Sequence, residues 1–185
     1  MIVDGVDPSL TATGVAVVDT DDVLSIRVDS VGGKGHRDAS WFDRWRRVED
    51  LAGRVVGVFG GCADLVVVEA PSLAQRNAGS AHDRAGLWWS LFGRLARAEV
   101  PVLPVPPAVR AKYATGKGNA PKDAVMLAVA RRYPQAPVAT NDHADAVALA
   151  AIGARMLGEP VEGSLPKTHL DALAKLTLPG HRRAT

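Results

Sequence analysis

Apolar residues along this chain fall into short runs of β-forming side chains and longer stripes at helical spacing, which is typical of an α/β domain. Three runs come first, at residues 2–7, 13–18 and 23–28, and the short turns between them predict an antiparallel meander. A fourth run, Leu65–Glu69, is apolar up to its final carboxylate, as expected for a strand covered on both faces. A fifth short strand is predicted at residues 101–105.

Helical stripes separate and follow these strands. The first helix is predicted to begin at Ser40, which with Asp43 resembles a capping box. We predict that its two tryptophans belong to the core rather than to a base-stacking platform. The residues of that stripe are Trp41, Trp45, Val48, Ala52, Val55 and Phe59. Further helices are predicted at residues 80–99, from a cap at Asn119 to Pro134, at 141–157, and over a short stretch at 171–176, with a basic loop at 112–119.

The helix predicted at residues 80–99 is apolar almost all the way round. The side chains responsible are Leu87, Trp88, Trp89, Leu91, Phe92, Leu95 and Ala98. This is too apolar for a surface helix with a single buried side. Either the helix is deeply buried or its second face meets a partner, and a homodimer is a reasonable hypothesis.

The length of 185 residues is enough for one domain with a substantial core. We expect this domain to span residues 1–158, with 159–185 forming a partly disordered tail rich in Pro, Gly, Lys and Thr. No apolar run approaches the roughly 20 residues of a membrane span, and no signal peptide is recognisable. A single cysteine, Cys62, excludes an internal disulfide framework. We therefore expect a cytoplasmic protein with no membrane contact.

The net charge of +2 conceals a basic middle segment. Residues 76–122 contain eight Lys or Arg side chains but only Asp83 and Glu99 as acids. The basic residues are Arg76, Arg84, Arg94, Arg97, Arg110, Lys112, Lys117 and Lys122. Such a segment indicates a surface for a polyanion, although a solvated helix face with a charged loop is the alternative.

Four acidic residues stand where strands end or a helix begins. Asp7 ends the first strand, and its alternative role is to cap the following turn. Glu69 ends the fourth strand, while Asp142 and Asp145 lie on the inward stripe of the last long helix. Capping explains one helical aspartate but not a second one turned inward.

If the first and fourth strands are neighbours, these four carboxylates can converge. Four carboxylates cannot stay ionised together without cations. Hard oxygen ligands select Mg²⁺ or Mn²⁺, and a pair of such ions suits hydrolysis of a phosphodiester. The sequence thus indicates a metal-dependent site for nucleic acid.

Taken together, four stretches resemble the RuvC Holliday-junction resolvases. They are Gly5–Val15, Val67–Glu69, Gly116–Lys122 and Asp142–Ala148, in matching order over about residues 1–157. The resemblance implies a ribonuclease H-like fold with a central mixed five-stranded sheet, a three-strand antiparallel meander plus two parallel strands, flanked by helices. It also implies a homodimer that nicks four-way DNA junctions in pairs and leaves 5′-phosphates.

The family's functional residues transfer by position. Asp7, Glu69, Asp142 and Asp145 are then an acidic tetrad that holds two Mg²⁺ ions, with Mn²⁺ as a substitute. Lys122 matches a lysine near the scissile phosphate, and a second family lysine falls near Arg110 or Lys112. The expected DNA-binding residues are Arg76, Arg110, Lys112, Lys117 and Lys122.

Several positions depart from the family pattern. Ser9 replaces a usual glycine, Ala70 replaces a second acidic residue, and Ser72 or Leu73 stands where the family carries an aromatic that inserts at the junction centre. These departures suggest a bacteriophage version that accepts a broader range of branched DNA. His143 is offset by one residue from Asp142 and is left out of the ligand set.

Three other classes of function remain as alternatives. A ribonuclease H-type nuclease would share the metal site but would not need an apolar second helix as a dimer face. A sugar-kinase-like ATPase needs a second large lobe that this length does not supply. A protein that binds junctions without cleaving them would have no use for four carboxylates facing the DNA backbone.

Overall fold

The computed structural model describes residues 1–21, 24–59, 62–71 and 78–180, and its centre is a five-stranded mixed sheet in the order β3-β2-β1-β4-β5. The strands are β1 (Ile2–Asp7), β2 (Thr13–Asp19), β3 (Ser25–Val31), β4 (Leu65–Glu69) and β5 (Val102–Val105). β1, β2 and β3 pair antiparallel, whereas β4 runs parallel to both β1 and β5. The predicted meander with two added parallel strands is confirmed, although β3 extends beyond the predicted residue 28 to Val31.

Helices cover both faces of this sheet. They are α1 (Trp41–Val58), α2 (Ala78–Arg97), α3 (Pro107–Thr115), α4 (Lys122–Arg132), α5 (Asn141–Met156) and the short α6 (Lys167–Leu170). α1 and α2 pack against each other and form one apolar core with the sheet. α5 packs on β1 and β2 across the other face, with α3 and α4 beside it. Within the described residues, no helix has both the length and the apolarity to cross a bilayer.

The start of α1 confirms one prediction and contradicts another. The Ser40 hydroxyl accepts a hydrogen bond from the Asp43 backbone N–H at 3.1 Å and donates one to the Asp43 carboxylate at 2.6 Å. However, Trp41 is 75% exposed and Trp45 is 56% exposed, so the assignment of both tryptophans to the core is wrong. Burial along the helix begins only at Val48, and in its first two turns Arg44 and Arg47 reach other parts of the chain, at Asp83 and at the Leu10 carbonyl.

The basic loop predicted at residues 112–119 is helical in its first part, because α3 begins at Pro107, where no element was predicted, and continues through residues 112–115. Pro107 occupies the first turn of α3, where its fixed φ and missing N–H are favourable. The helix continues to Thr115, and Gly116 ends it with a left-handed backbone, φ 80°. The predicted cap at Asn119 is also wrong, since α4 begins at Lys122 with Pro121 before it.

α5 lies unusually close to the sheet. A Cβ atom on Gly5 would come within 2.1 Å of the Ala146 carbonyl oxygen, and one on Gly14 within 2.1 Å of the Asp142 carbonyl oxygen. Glycine at both strand positions is therefore required for this approach. Every residue of α5 from 144 to 154 is buried, rather than only the predicted stripe. The result is that the N-terminus of α5 stands directly beside β1 and β2.

The chain after residue 158 packs on the layer formed by α3, α4 and α5 up to about residue 178. The Glu162 carboxylate is buried and accepts hydrogen bonds from the hydroxyls of Tyr113 and Tyr133 and from Arg155. The short helix predicted at 171–176 is instead α6, at Lys167–Leu170. The domain boundary at residue 158 stays a prediction, and residues 181–185 lie outside the described part of the chain.

Candidate active site

All four residues of the acidic tetrad line one cavity of about 580 Å³ at the edge of the sheet where β1 and β4 end. The charged side chains that line it are Asp7, Glu69, Arg84, Arg110, Lys122, Asp142 and Asp145. Because β1 and β4 are parallel neighbours, their final carboxylates, Asp7 and Glu69, leave the sheet at the same edge. The four predicted residues therefore line the same cavity, while their role as a metal-binding tetrad stays a prediction.

α5 supplies the other two carboxylates. Thr140 caps it, and the Thr140 hydroxyl accepts a hydrogen bond from the His143 backbone N–H at 3.1 Å. The close approach at Gly14 sets the first turn of the helix beside β2 and brings Asp142 to the cavity. Asp145 lies on the same side of the helix one turn later and is buried.

A guanidinium lies among these carboxylates. Arg110, in the first turn of α3, is only 7% exposed. Its Nε donates to Glu69 Oε2 at 2.5 Å, and its Nη1 forms an ion pair with Asp145 Oδ1. Arg110 thus joins two members of the tetrad and compensates part of their charge.

The site raises the affinity of its carboxylates for protons. Burial, and then repulsion from Glu69, raises the pKa of Asp7 to about 7, although the positive charge of Arg110 opposes the shift. Burial also raises the pKa of Glu69, and again Arg110 opposes the shift by charge and by its hydrogen bond. Two neighbouring carboxylates with raised pKa values are typical of a site built to receive positive charge.

The residues present fit a divalent cation. The donors are hard carboxylate oxygens, which Mg²⁺ and Mn²⁺ prefer. Among the described residues, Asp145 Oδ2 has no hydrogen-bond partner although it is buried, and such an atom is unfavourable unless a cation or donor reaches it. Across the ranges 1–21, 24–59, 62–71 and 78–180, no three acidic, His or Cys side chains yet converge closely enough to hold an ion together. The carboxylate oxygens are therefore of the type that binds Mg²⁺ or Mn²⁺, but the described side chains do not surround a single ion position.

The other predicted functional residues are distributed more widely. Lys122, at the start of α4, is exposed and lines the cavity. Lys112 is half-buried and Lys117 is exposed, and neither lines it. Arg76 lies outside the described residues, as do Ser72 and Leu73. The roles given to these residues stay predictions.

His143 bonds to groups of β3 and of the loop before α5, and its omission from the ligand set stays a prediction. Its Nε2 lies 2.8 Å from the Ser30 hydroxyl on β3, and its Nδ1 accepts from the Ala139 backbone N–H at 3.3 Å. Both ring nitrogens are thus engaged by neighbouring groups of the protein.

Sequence reasoning missed two residues that shape the cavity. Trp88 on α2 lines it, and its indole N–H donates to the Glu69 backbone carbonyl at 3.0 Å, which fixes the end of β4. Arg84 lies one helical turn earlier on the same side of α2 and also lines the cavity. Their i, i+4 spacing was the available signal, but spacing alone does not indicate that this side of α2 faces the ends of the strands.

Part of the positive charge of the basic middle segment, residues 76–122, is paired with carboxylates of the same chain. Arg94 pairs with Glu49 of α1 at 2.8 Å, and Arg110 pairs with Glu69 and Asp145. These two positive charges are compensated within the protein. The charge facing an approaching polyanion is therefore smaller than the sequence count suggests.

Comparison with known proteins gives structural matches only. No family model matches the chain, and no curated protein matches it. The Thermus thermophilus RuvC structure aligns with a TM-score of 0.64 and 24% identity, over 86% of this chain and 98% of that one. T. thermophilus RuvC in complex with a Holliday junction substrate aligns with a TM-score of 0.62 and 26% identity, over 84% and 96% of the two chains.

A more distant solved structure shares the same architecture. The yeast mitochondrial Holliday junction resolvase aligns with a TM-score of 0.53 and 10% identity, over 80% of this chain and 75% of that one. These comparisons confirm the ribonuclease H-like fold and the resemblance to RuvC-like resolvases. The bacteriophage origin stays a prediction.

Proposed function

We propose that this RuvC-like chain is a structure-selective DNA endonuclease that resolves four-way junctions by paired nicks. The observation that carries the proposal is that Asp7, Glu69, Asp142 and Asp145 all line one cavity open to solvent. The complex of T. thermophilus RuvC with a Holliday junction substrate supports the choice of DNA. A broader debranching nuclease and a ribonuclease H-type nuclease are the alternatives that share this site.

Phosphodiester hydrolysis is the chemistry that this cavity favours. The tetrad would hold two Mg²⁺ ions, with Mn²⁺ as a substitute, and these ions would supply activation of water and stabilisation of the leaving 3′ oxygen. The product would then carry a 5′-phosphate. Lys122 stands at the rim of the cavity, where its ammonium group can reach a phosphate and offset charge that develops on it.

The test of the proposed function compares a mobile four-way junction with a linear duplex of the same sequence, each incubated with the protein and Mg²⁺. We expect paired nicks at the junction, 5′-phosphate ends and an intact duplex. Additional cuts at flaps, forks and three-way branches would identify a general debranching nuclease. Cleavage confined to an RNA–DNA hybrid would indicate the ribonuclease H alternative, and binding without cleavage of any substrate would contradict an enzyme.

Paired nicking requires two active sites, and we propose that α2 joins them in a homodimer. Trp88 and Leu91 of this helix are buried in the chain's own core, whereas Trp89 is 63% exposed. Trp89 packs edge-on against Phe92 and Trp88, with ring centroids 5.9 and 4.9 Å away, so an aromatic surface faces outward. A second copy of α2 would cover this surface by two-fold symmetry.

Replacing Trp89 with serine is expected to convert the dimer to a monomer. A central aromatic anchor typically contributes at least about 2 kcal/mol to association, or about 30-fold in the dimer dissociation constant. Light scattering coupled to size-exclusion chromatography at micromolar concentration measures the change. The matched control is Leu127→Ser, because Leu127 is 51% exposed on α4, on the opposite side of the sheet. A dimeric W89S variant would exclude α2 as the interface, and a monomeric native protein would exclude the dimer.

A further inference from the structure

Arg110 has an arrangement that a simple phosphate-binding residue does not need. Its guanidinium is almost completely buried, and two carboxylates, those of Glu69 and Asp145, engage it from β4 and α5. A buried arginine is tolerated when its charge is paired and its donors are used. Both partners belong to the acidic tetrad, so Arg110 is bound by the same groups that would hold a metal ion.

The backbone of α3 fixes the place from which the Arg110 side chain extends. Its backbone N–H donates to the Pro106 carbonyl at 3.2 Å, in the first turn of α3. The far end of α3 is held by Tyr113, whose hydroxyl bonds the buried Glu162 and whose carbonyl accepts from Arg132 at 3.2 Å. α3 therefore presents the guanidinium to the carboxylates from a rigid support.

The charge balance of the cavity explains what Arg110 does there. Four carboxylates in a partly desolvated cavity repel one another unless positive charge lies between them. Arg110 supplies that charge at two of the four, while Asp145 Oδ2 has no hydrogen-bond partner in the part of the chain that the structure describes. A metal ion that enters the cavity finds Asp145 Oδ2 without a hydrogen bond from any described residue. Two other oxygens that could bind it, on Glu69 and Asp145, already bond to the positively charged Arg110.

We propose that Arg110 is a built-in counter-cation that competes with a divalent metal ion for Glu69 and Asp145. It keeps the two carboxylates together when no metal is bound, and it gives up its bond to at least one of them when a metal binds. Arg110 thereby sets the metal concentration at which the site fills. The inference rests on the proposed function, since it takes the tetrad as the metal site, but it concerns metal affinity and not cleavage.

The test is Mn²⁺ binding to the DNA-free protein, measured by isothermal titration calorimetry and by the electron paramagnetic resonance signal of free Mn²⁺. Arg110→Gln removes the charge and keeps a hydrogen-bonding side chain. We expect R110Q to bind Mn²⁺ at least about 10-fold more tightly than the native protein, the scale on which groups that contact metal ligands change affinity. Arg110→Lys keeps the charge and should remain within about 3-fold of the native affinity.

A second measurement separates competition from a general loss of positive charge. Arg84 also lines the cavity, from α2, so Arg84→Gln removes an equal charge without breaking the bonds to Glu69 and Asp145. We expect R84Q to change Mn²⁺ affinity by less than about 3-fold. We also expect R110Q to melt at a lower temperature than the native protein in EDTA and to recover more of that difference in saturating Mn²⁺.

The outcomes distinguish this inference from the proposed function. Junction cleavage by the native protein together with unchanged Mn²⁺ affinity in R110Q would overturn the inference alone. Equal tightening in R84Q and R110Q would overturn it as well, because the effect would then be one of overall charge. Failure of both the native protein and R110Q to bind Mn²⁺ would overturn the inference and the proposed function together.

Discussion

Cleavage of a four-way junction in Mg²⁺ is expected to fall by about 10²- to 10³-fold when Asp7 is replaced by asparagine, the scale of losing one preorganised electrostatic group at a reacting centre. Asparagine keeps the size of the side chain but removes its negative charge. Asp7 is placed at the end of β1, where it faces Glu69 and Asp142 across the cavity. No other carboxylate on β1 can replace it, because Asp4 lies on the opposite face.

Binding of the junction to the D7N variant is expected to be as tight as binding to the native protein, or tighter. The reason is that a phosphate backbone approaches a cavity with one negative charge fewer. Cleavage and binding are measured on the same labelled junction, by denaturing gel and by fluorescence anisotropy in Ca²⁺. The matched control is Asp4→Asn on the same strand, which should retain cleavage. Cleavage by D7N at more than about a tenth of the native rate would remove Asp7 from the site.

Replacing Asp4 with valine is expected to abolish a pH dependence of stability worth about 4 kcal/mol. Asp4 is fully buried on the α1–α2 side of β1, and no described residue forms a hydrogen bond with either of its carboxylate oxygens. Burial raises the pKa of Asp4 to about 7 from a usual value of 3.8, and the charge of Arg27 opposes this only in part. Each unit of pKa shift corresponds to about 1.4 kcal/mol of differential stability.

The direction of the pH dependence of stability follows from the pKa of Asp4 in the folded and in the unfolded state. Between pH 3.8 and about 7 the folded state holds the proton more tightly than the unfolded state, so each step upward in pH lowers the free energy of unfolding. The contribution of protonated Asp4 is complete below pH 3.8 and is lost by about pH 7. The native protein should therefore lose about 4 kcal/mol relative to D4V between pH 4 and pH 8.

Urea denaturation of native, D4V and D4N proteins at pH 4, 6 and 8 measures this difference. The comparison between pH values cancels the effect of valine on packing, because packing does not depend on pH. D4N should also lose the pH dependence, but it keeps a polar group in the core and should be less stable than D4V. A constant difference between native and D4V proteins at all three pH values would show that Asp4 does not titrate in this range.

The pattern of apolar and polar residues was sufficient to predict most strands and helices, because each depends on residues that are close together in the chain. Alternation and continuous apolar runs placed five strands, and helical spacing placed α1, α2 and α5. The four acidic residues could be identified because they stand at the ends of two strands and near the start of a helix. Their order along the chain also resembles that of a known family. Pattern failed at α3, where Pro106 and Pro107 suggested a break although proline at a first helical turn is favourable.

Helical spacing tells which side chains share a face, but it does not tell whether anything lies opposite that face. Trp41 and Trp45 continue the stripe of α1 and are nevertheless exposed, although Arg44 and Arg47 in the same turns bond to Asp83 and to the Leu10 carbonyl. The same limit applied to α5, whose whole circumference is buried between the sheet and its neighbouring helices.

The sequence by itself determined the meander of β1 to β3, the ends of β1 and β4, and the acidic residues that stand at those ends, whereas the pairing of β1 with β4 is seen only in the sheet. Only the tertiary structure decided that Asp4 is buried without a partner and that Arg110 lies against Glu69, 41 residues away in the chain. Burial and ion pairing of this kind depend on which distant segments are brought together. The spacing of residues in the sequence predicts which side chains share a face of a helix or strand. Packing between distant segments decides whether each of those side chains is buried and which charges lie beside it.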